Sequence, residues 1–189
     1  NFNTEYAKHL DKTSESYKML DAQEMKDLTG IDYYINGLWT PGTAILQPAL
    51  YIQSLADGVS KNSNVTIYEN SPVISLEEEG RHDGQKIWKA KTNLGSISSP
   101  KIILAVNGIV ERFGYFQNRL MTIFTYSSLT RELTTDESNI LGGSNEWGLT
   151  SADAMGSSVR RISGMGGNRI LVRNRWSYNP SMEASDSFM

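Results

Sequence analysis

The stretch Ser99-Pro100-Lys101-Ile102-Ile103-Leu104-Ala105-Val106-Asn107-Gly108 is a nearly uniform apolar run that ends abruptly in Asn-Gly. Consecutive Ile, Ile, Leu, Ala and Val leave no polar face, which is the pattern of a parallel strand covered on both sides and not of a half-exposed one. Small residues at its carboxyl end leave room for a ligand, and in open α/β sheets ligands sit beyond the carboxyl ends of the strands. The run is therefore a candidate wall for a nucleotide cofactor. The same residues also suit a plain core strand followed by a turn, because Asn-Gly favours positive φ whether or not anything binds there.

Upstream of this run, Pro48 suits the first turn of a helix, and Ile52, Leu55, Ala56 and Val59 recur at helical spacing, so one face is expected to be buried. Polar residues 60–64 end the helix, and Val65-Thr66-Ile67-Tyr68-Glu69 follows as a strand. Pro72–Glu77, Lys86–Thr92 and Ser96–Ser98 then read as an antiparallel meander with turns at His82-Asp83-Gly84 and Asn93-Leu94-Gly95. A plain Rossmann repeat would place a helix where this chain has the meander.

Further towards the amino terminus, Asp21-Ala22-Gln23-Glu24 has the spacing of a capping box, and Gly30 falls where a left-handed residue after the last turn is wanted. A helix over about Ala22–Leu28 is expected between them. Residues 1–20 read as a short helix and a linker, and the aromatic-rich Ile31–Trp39 as a hairpin or a pair of short strands. Beyond Gly114 the chain turns β-rich: Arg119–Leu133 is one long run, Leu141-Gly142-Gly143-Ser144 a loop, and Val159–Ile162 pairs with Arg169–Arg173. Three regions result: a helical lead-in at 1–41, a helix-strand-meander-strand block at 42–108, and a β-rich block at 109–189.

Composition excludes several kinds of function. The 189 residues suffice for one sizeable core or parts of two. A net charge of −3 with interspersed signs provides no basic stripe to collect phosphates, so no nucleic-acid partner is expected. The absence of cysteine rules out disulfides, thiolate nucleophiles and Cys-type zinc sites. His9 and His82 lie far apart in polar contexts and read as solvated, so no metal site is expected. No run is long or apolar enough to span a bilayer and no signal peptide is visible, which points to a cytoplasmic location.

In sequence order, several motifs carry a family resemblance. They are Leu20-Asp21-x-x-Glu24, Gly42-x-x-x-Leu46-Gln47-Pro48, Val65–Val73, Thr92-Asn93-Leu94-Gly95-Ser96-Ile97, Lys101–Gly108 and Met121-Thr122-Ile123-Phe124-Thr125-Tyr126-x-x-x-Thr130-Arg131-Glu132-Leu133. Taken together they resemble the middle of a flavoprotein of the D-amino acid oxidase family, in its glycine oxidase, sarcosine oxidase and γ-glutamylputrescine oxidoreductase branch. The fold class implied is α/β (α+β). Block 42–108 would be part of an FAD-binding Rossmann-like domain with an antiparallel meander, block 109–189 part of a β-rich substrate domain, and the lead-in would lie on the substrate-domain side. The activity implied is oxidation of the C–N bond of an amine or amino acid to an imine by hydride transfer to FAD. In such enzymes the cofactor carries the redox chemistry, so no Ser-His-Asp or paired-carboxylate cluster is required, and none is singled out as catalytic.

The resemblance also assigns residues. Val73 matches the position whose backbone meets the adenine, although a plain core valine fits it equally. Ala105, Val106, Asn107 and Gly108 match the segment passing beside the dinucleotide. Gln47 and Pro48 match a substrate-facing helix start where the family more often has His-Pro. Arg160 or Arg161 matches the arginine that takes a substrate carboxylate, the alternative being a solvent-facing edge charge. Adjacent strand residues point to opposite faces, so at most one of the two faces the site.

The family opens with a strand, a Gly-rich phosphate turn and a helix, and it closes with a Gly-rich segment beside the isoalloxazine; this sequence has neither. Gly164-x-Gly166-Gly167 lies between two strand-like runs and reads as a hairpin loop. The chain opens on Asn1 and ends on Ser185-Asp186-Ser187-Phe188-Met189 without a strand or cap signal. The expectation is an internal fragment that is inactive alone and does not hold FAD by itself. A second expectation, from a different class, is a non-enzymatic α+β binding or interaction domain. The pairing of Ile102–Val106 discriminates: the flavoprotein reading requires it to lie parallel to Val65–Glu69 or to a strand outside this chain.

Overall fold

A computed structural model describes residues 2–180; residues 185–189, and any signal they carry, lie outside the described residues. In chain order the elements are α1 (Phe2–Thr13), β1 (Lys18–Asp21), α2 (Ala22–Thr29), β2 (Asn36–Trp39), α3 (Pro48–Ser60), β3 (Val73–His82), β4 (Gln85–Thr92) and β5 (Ser96–Ser99). They continue with β6 (Ile123–Leu129), α4 (Thr135–Leu141), β7 (Trp147–Thr150), β8 (Ser158–Ile162) and β9 (Arg169–Tyr178). The class is α+β. Two compact units divide the chain, one of Asn1–Tyr51 with Thr125–Ser177 and one of Ile52–Phe124 with the residues from Tyr178 on. Among the described residues no helix is long and apolar enough to cross a membrane.

In the first unit, α1 buries Ala7 and Leu10, three residues apart and therefore on one face. The α2 start is fixed by the expected box: the Asp21 carboxylate accepts from the Glu24 amide at 2.9 Å, and the Glu24 carboxylate accepts from the Asp21 amide at 3.0 Å. The helix stops at Gly30, whose φ of 76° is left-handed. The aromatic-rich stretch supplies only one strand, β2, and its antiparallel partner is β1 on the other side of α2. The expected local hairpin does not form, because Asn36-Gly37 lies within the β1–β2 register instead of at a turn.

The same unit holds a four-stranded sheet in the order β6-β9-β8-β7, with β7/β8 and β8/β9 antiparallel. Trp147, Leu149, Val159 and Arg161 share one face by register, and Trp147 and Arg161 are buried on it. Gly148 and Arg160 share the opposite, exposed face. Helix α4, which the sequence reading passes over, carries a second capping box. The Thr134 hydroxyl accepts from the Glu137 amide at 3.2 Å, and the Glu137 carboxylate accepts from the Thr134 amide at 2.9 Å. The ends of α2 and α4 interlock: the Ser144 amide donates to Leu28 O at 2.8 Å, and a Cβ on Gly143 would stand 2.6 Å from the Thr29 carbonyl carbon.

In the second unit the meander forms as expected, β3-β4-β5, antiparallel throughout. Its long hairpin is laced by Lys91–Glu77, Lys89–Glu79 and Lys86–Glu78 pairs at 2.6–2.7 Å. Three expectations fail here for one reason. Val65–Glu69 is not a strand, and neither is Ile102–Val106, where Ile103 is 92% exposed. The apolar face of α3 is open, with Ile52 and Leu55 each more than half exposed. A strand exists only through a neighbour's hydrogen bonds, and a buried face only through a covering layer. Among the described residues neither segment has a strand partner, so the composition of a buried parallel layer is present without the layer.

Candidate functional site

In the second unit, β3 starts at Val73, which pairs with Thr92 and is exposed. The flanking Asn70, Ser71, Pro72, Thr92, Asn93 and Leu94 line a cavity of about 260 Å³. Ligand pockets usually span about 300–1,000 Å³, so this one suits a single ring system and not a whole dinucleotide. Downstream, Ile102, Leu104, Val106 and Gly108 are half-buried while Lys101, Ile103, Ala105 and Asn107 are exposed. That period of two is an extended chain with one covered face.

The extended chain ends at Asn107, whose φ of 51° is left-handed and whose side-chain oxygen accepts from the Gly108 amide at 2.9 Å. A 3-10 turn over Asn107–Phe113 follows and buries Val110. Gly108 does not have positive φ, and a Cβ there would meet nothing within 4 Å. Neither the backbone nor the packing of this chain demands glycine at that position, so it stays open to a group approaching from outside. The Gly164-x-Gly166-Gly167 segment is a 3-10 hairpin loop between β8 and β9 with no helix after it, and it offers no phosphate cradle.

In the first unit the two candidate arginines separate. Arg161 is 0% exposed, and its guanidinium donates to Gly142 O, Ser138 O, Ser138 Oγ, Asn145 Oδ1 and Asn168 Oδ1. Two of those acceptors are carbonyls at the end of α4: Gly142 O, and Ser138 O, which also accepts from the Gly142 amide at 3.1 Å. Arg161 therefore fastens β8 to the α4 carboxyl end, where a cation is favoured. Of the two alternatives for a carboxylate ligand, Arg161 is therefore turned inward, since all three of its guanidinium nitrogens donate internally. Arg160 is exposed and, among the described residues, makes no hydrogen bond or ion pair. Its stem lies across Gly148 on β7: a Cβ at Gly148 would stand 3.5 Å from Arg160 Cγ, 4.0 Å from its Nε and 3.9 Å from Ile45 Cδ1.

Gln47 has a local task. Its Oε1 accepts from the Leu50 amide at 2.8 Å and its carbonyl from the Tyr51 amide at 3.0 Å, so it caps α3 and only its amide nitrogen is left for a ligand. At the other end of the charge scale, Glu137 is held down to about 2 by the Arg131 fork and the Thr134 amide. That pair secures the start of α4. Gly148 and Ile45 were not singled out from sequence. The closeness of Gly148 to Arg160 and to Ile45 arises from cross-strand register and loop placement, which no local pattern encodes. The α4 cap, in contrast, was legible as Thr134-x-x-Glu137.

The family model described as DAO, FAD dependent oxidoreductase, matches residues 2–183. No curated protein matches the sequence significantly. Among solved structures, the chain resembles glycine oxidase from Geobacillus kaustophilus with a TM-score of 0.66 at 12% identity, covering 94% of this chain and 45% of that one. It also resembles NikD, an unusual amino acid oxidase essential for nikkomycin biosynthesis, with a TM-score of 0.60 at 15% identity, covering 94% and 46%. At such identity these likenesses bear on the fold, and the chain spans less than half the length of either structure.

Proposed function

Because the chain belongs to the FAD-dependent oxidoreductase family, we propose that it supplies one wall of an FAD site and the substrate-facing sheet of an enzyme that oxidises the C–N bond of an amine or amino acid. The observation that carries this reading is the open left-handed turn Asn107-Gly108 at the end of an apolar extended segment, where glycine has no local justification. On this reading the backbone at Val73 lies beside the adenine and Ala105–Gly108 beside the dinucleotide. FAD, when bound, supplies a hydride acceptor, and the oxidised substrate leaves as an imine that water hydrolyses.

The chain's own residues bind and orient. Arg160, exposed and unpaired, takes a substrate carboxylate through two parallel N–H donors, a role its neighbour Arg161 is buried too deeply to share. Gln47 offers its amide nitrogen from the start of α3. The proposed substrate is a small amine or amino acid. The test is anaerobic addition of a panel of amino acids and primary amines to the FAD-loaded, family-length protein carrying this chain, with the oxidised-flavin absorbance as readout. Bleaching by a member of the panel supports the proposal, and no bleaching by any member overturns it.

A further inference from the structure

We infer that Gly148 is a positioning residue that sets where the Arg160 guanidinium stands, and so sets the place at which a carboxylate is bound; the inference rests on the reading of Arg160 as the carboxylate ligand. Gly148 and Arg160 are direct cross-strand partners in the β7/β8 register, on the exposed face of the sheet. Glycine inside a strand forfeits side-chain packing, and where no bulge or turn calls for it, it marks a close approach by another group. Gly148 lies in regular pairing and has no positive φ, so backbone geometry does not require it.

What approaches is the Arg160 stem. A Cβ on Gly148 would be 3.5 Å from Cγ and 4.0 Å from Nε of Arg160, with Ile45 Cδ1 at 3.9 Å on the other side. Those are ordinary contact distances, so one methyl group fits beside the Arg160 stem and a branched side chain would compete with it for that space. Two further arginines of the face are held elsewhere: Arg169 by Gly166 O and Thr130 O, Arg173 by Gly156 O and Ser158 Oγ. Arg160 has no such acceptor, so its position comes from the flat seat that Gly148 leaves beside Ile45. The strands of this sheet carry no acidic residue, so nothing on them competes with an incoming carboxylate. The ligand class is a small monocarboxylate, bound at the Ile45 end of Arg160.

The experiment titrates propionate, with n-propanol as the uncharged control, into the chain and follows the Arg160 side-chain NH signal by NMR. Gly148→Ala should leave the propionate dissociation constant within about twofold. Gly148→Val, a β-branched residue suited to this edge strand, should weaken it about tenfold or more, as Arg160→Gln should, because a charge-assisted pair is lost. Gly148→Val binding as tightly as the native chain overturns the seat while Arg160 keeps its role. Propionate binding that survives Arg160→Gln, or no propionate binding at all, overturns the reading of Arg160 and the seat with it. A nuclear Overhauser contact between the Gly148 Hα protons and the Arg160 side chain tests the seat with no substitution, and its absence overturns it.

Discussion

Arg160 and Arg161 are consecutive in β8 and serve opposite sides of one sheet: Arg161 is sealed beneath it on the carboxyl end of α4, and Arg160 lies in the open across Gly148. Strand alternation alone thus gives two residues of identical chemistry opposite surroundings, one buried and one exposed.

Their substitutions should differ accordingly. Removing Arg161 strands part-buried carbonyl and amide acceptors, so Arg161→Ala should cost about 1–3 kcal/mol, the range for leaving polar groups unsatisfied. Arg160→Gln, at an exposed position without partners, should stay within about 0.5 kcal/mol. Urea denaturation of both variants checks the contrast, and equal losses would refute the division of labour.

The two capped helices give a graded pair of expectations. Asp21→Ala and Thr134→Ala should each cost about 1 kcal/mol, the usual loss of a side-chain cap. Gly143→Ala should cost more than either, since its φ is 68° and the new Cβ would press on the Thr29 carbonyl carbon and Leu28 O at 2.6 and 2.8 Å. Thermal unfolding ranks the three.

Acid stability should depend on Glu137. Its folded-state pKa is depressed from 4.5 to about 2, so the stabilising contribution is present in full above 4.5 and is lost as pH falls towards 2. The Tm difference between the native chain and Glu137→Gln should therefore be constant from neutral pH down to about 5 and shrink below it. A difference that does not change with pH would show that ionisation of Glu137 plays no part.

Much of the local structure was legible in the sequence because its causes are local. Asp21 to Glu24, Gly30, Pro48 and the turns of the meander act within a few residues, and each element they define is found. Ile102–Val106 misled because its composition reports a buried layer, whereas burial depends on strands that this chain does not provide. The same cause left the α3 face open. Arg161 was misread because a buried cation needs acceptors gathered from 138, 142, 145 and 168, and no spacing along the chain reveals such a gathering. Gly108 was legible as a small residue, but its lack of any local constraint became visible only with the fold.

Gly108 also separates cofactor contact from folding. A Cβ there meets nothing within 4 Å, so Gly108→Ala should leave Tm unchanged to within about 0.5 kcal/mol of stability. In the FAD-loaded, family-length protein the same substitution should weaken flavin retention. Loss of stability without loss of flavin would place Gly108 in the chain's own packing.

The most direct measurement is equilibrium dialysis of FAD against the 189-residue chain by itself. If, as proposed, the chain supplies only the adenine side and one wall, and the described residues form no Gly-rich turn for the pyrophosphate, it should retain no stoichiometric flavin and remain colourless. One FAD held per chain would contradict the account, because it would require a complete dinucleotide site within these residues.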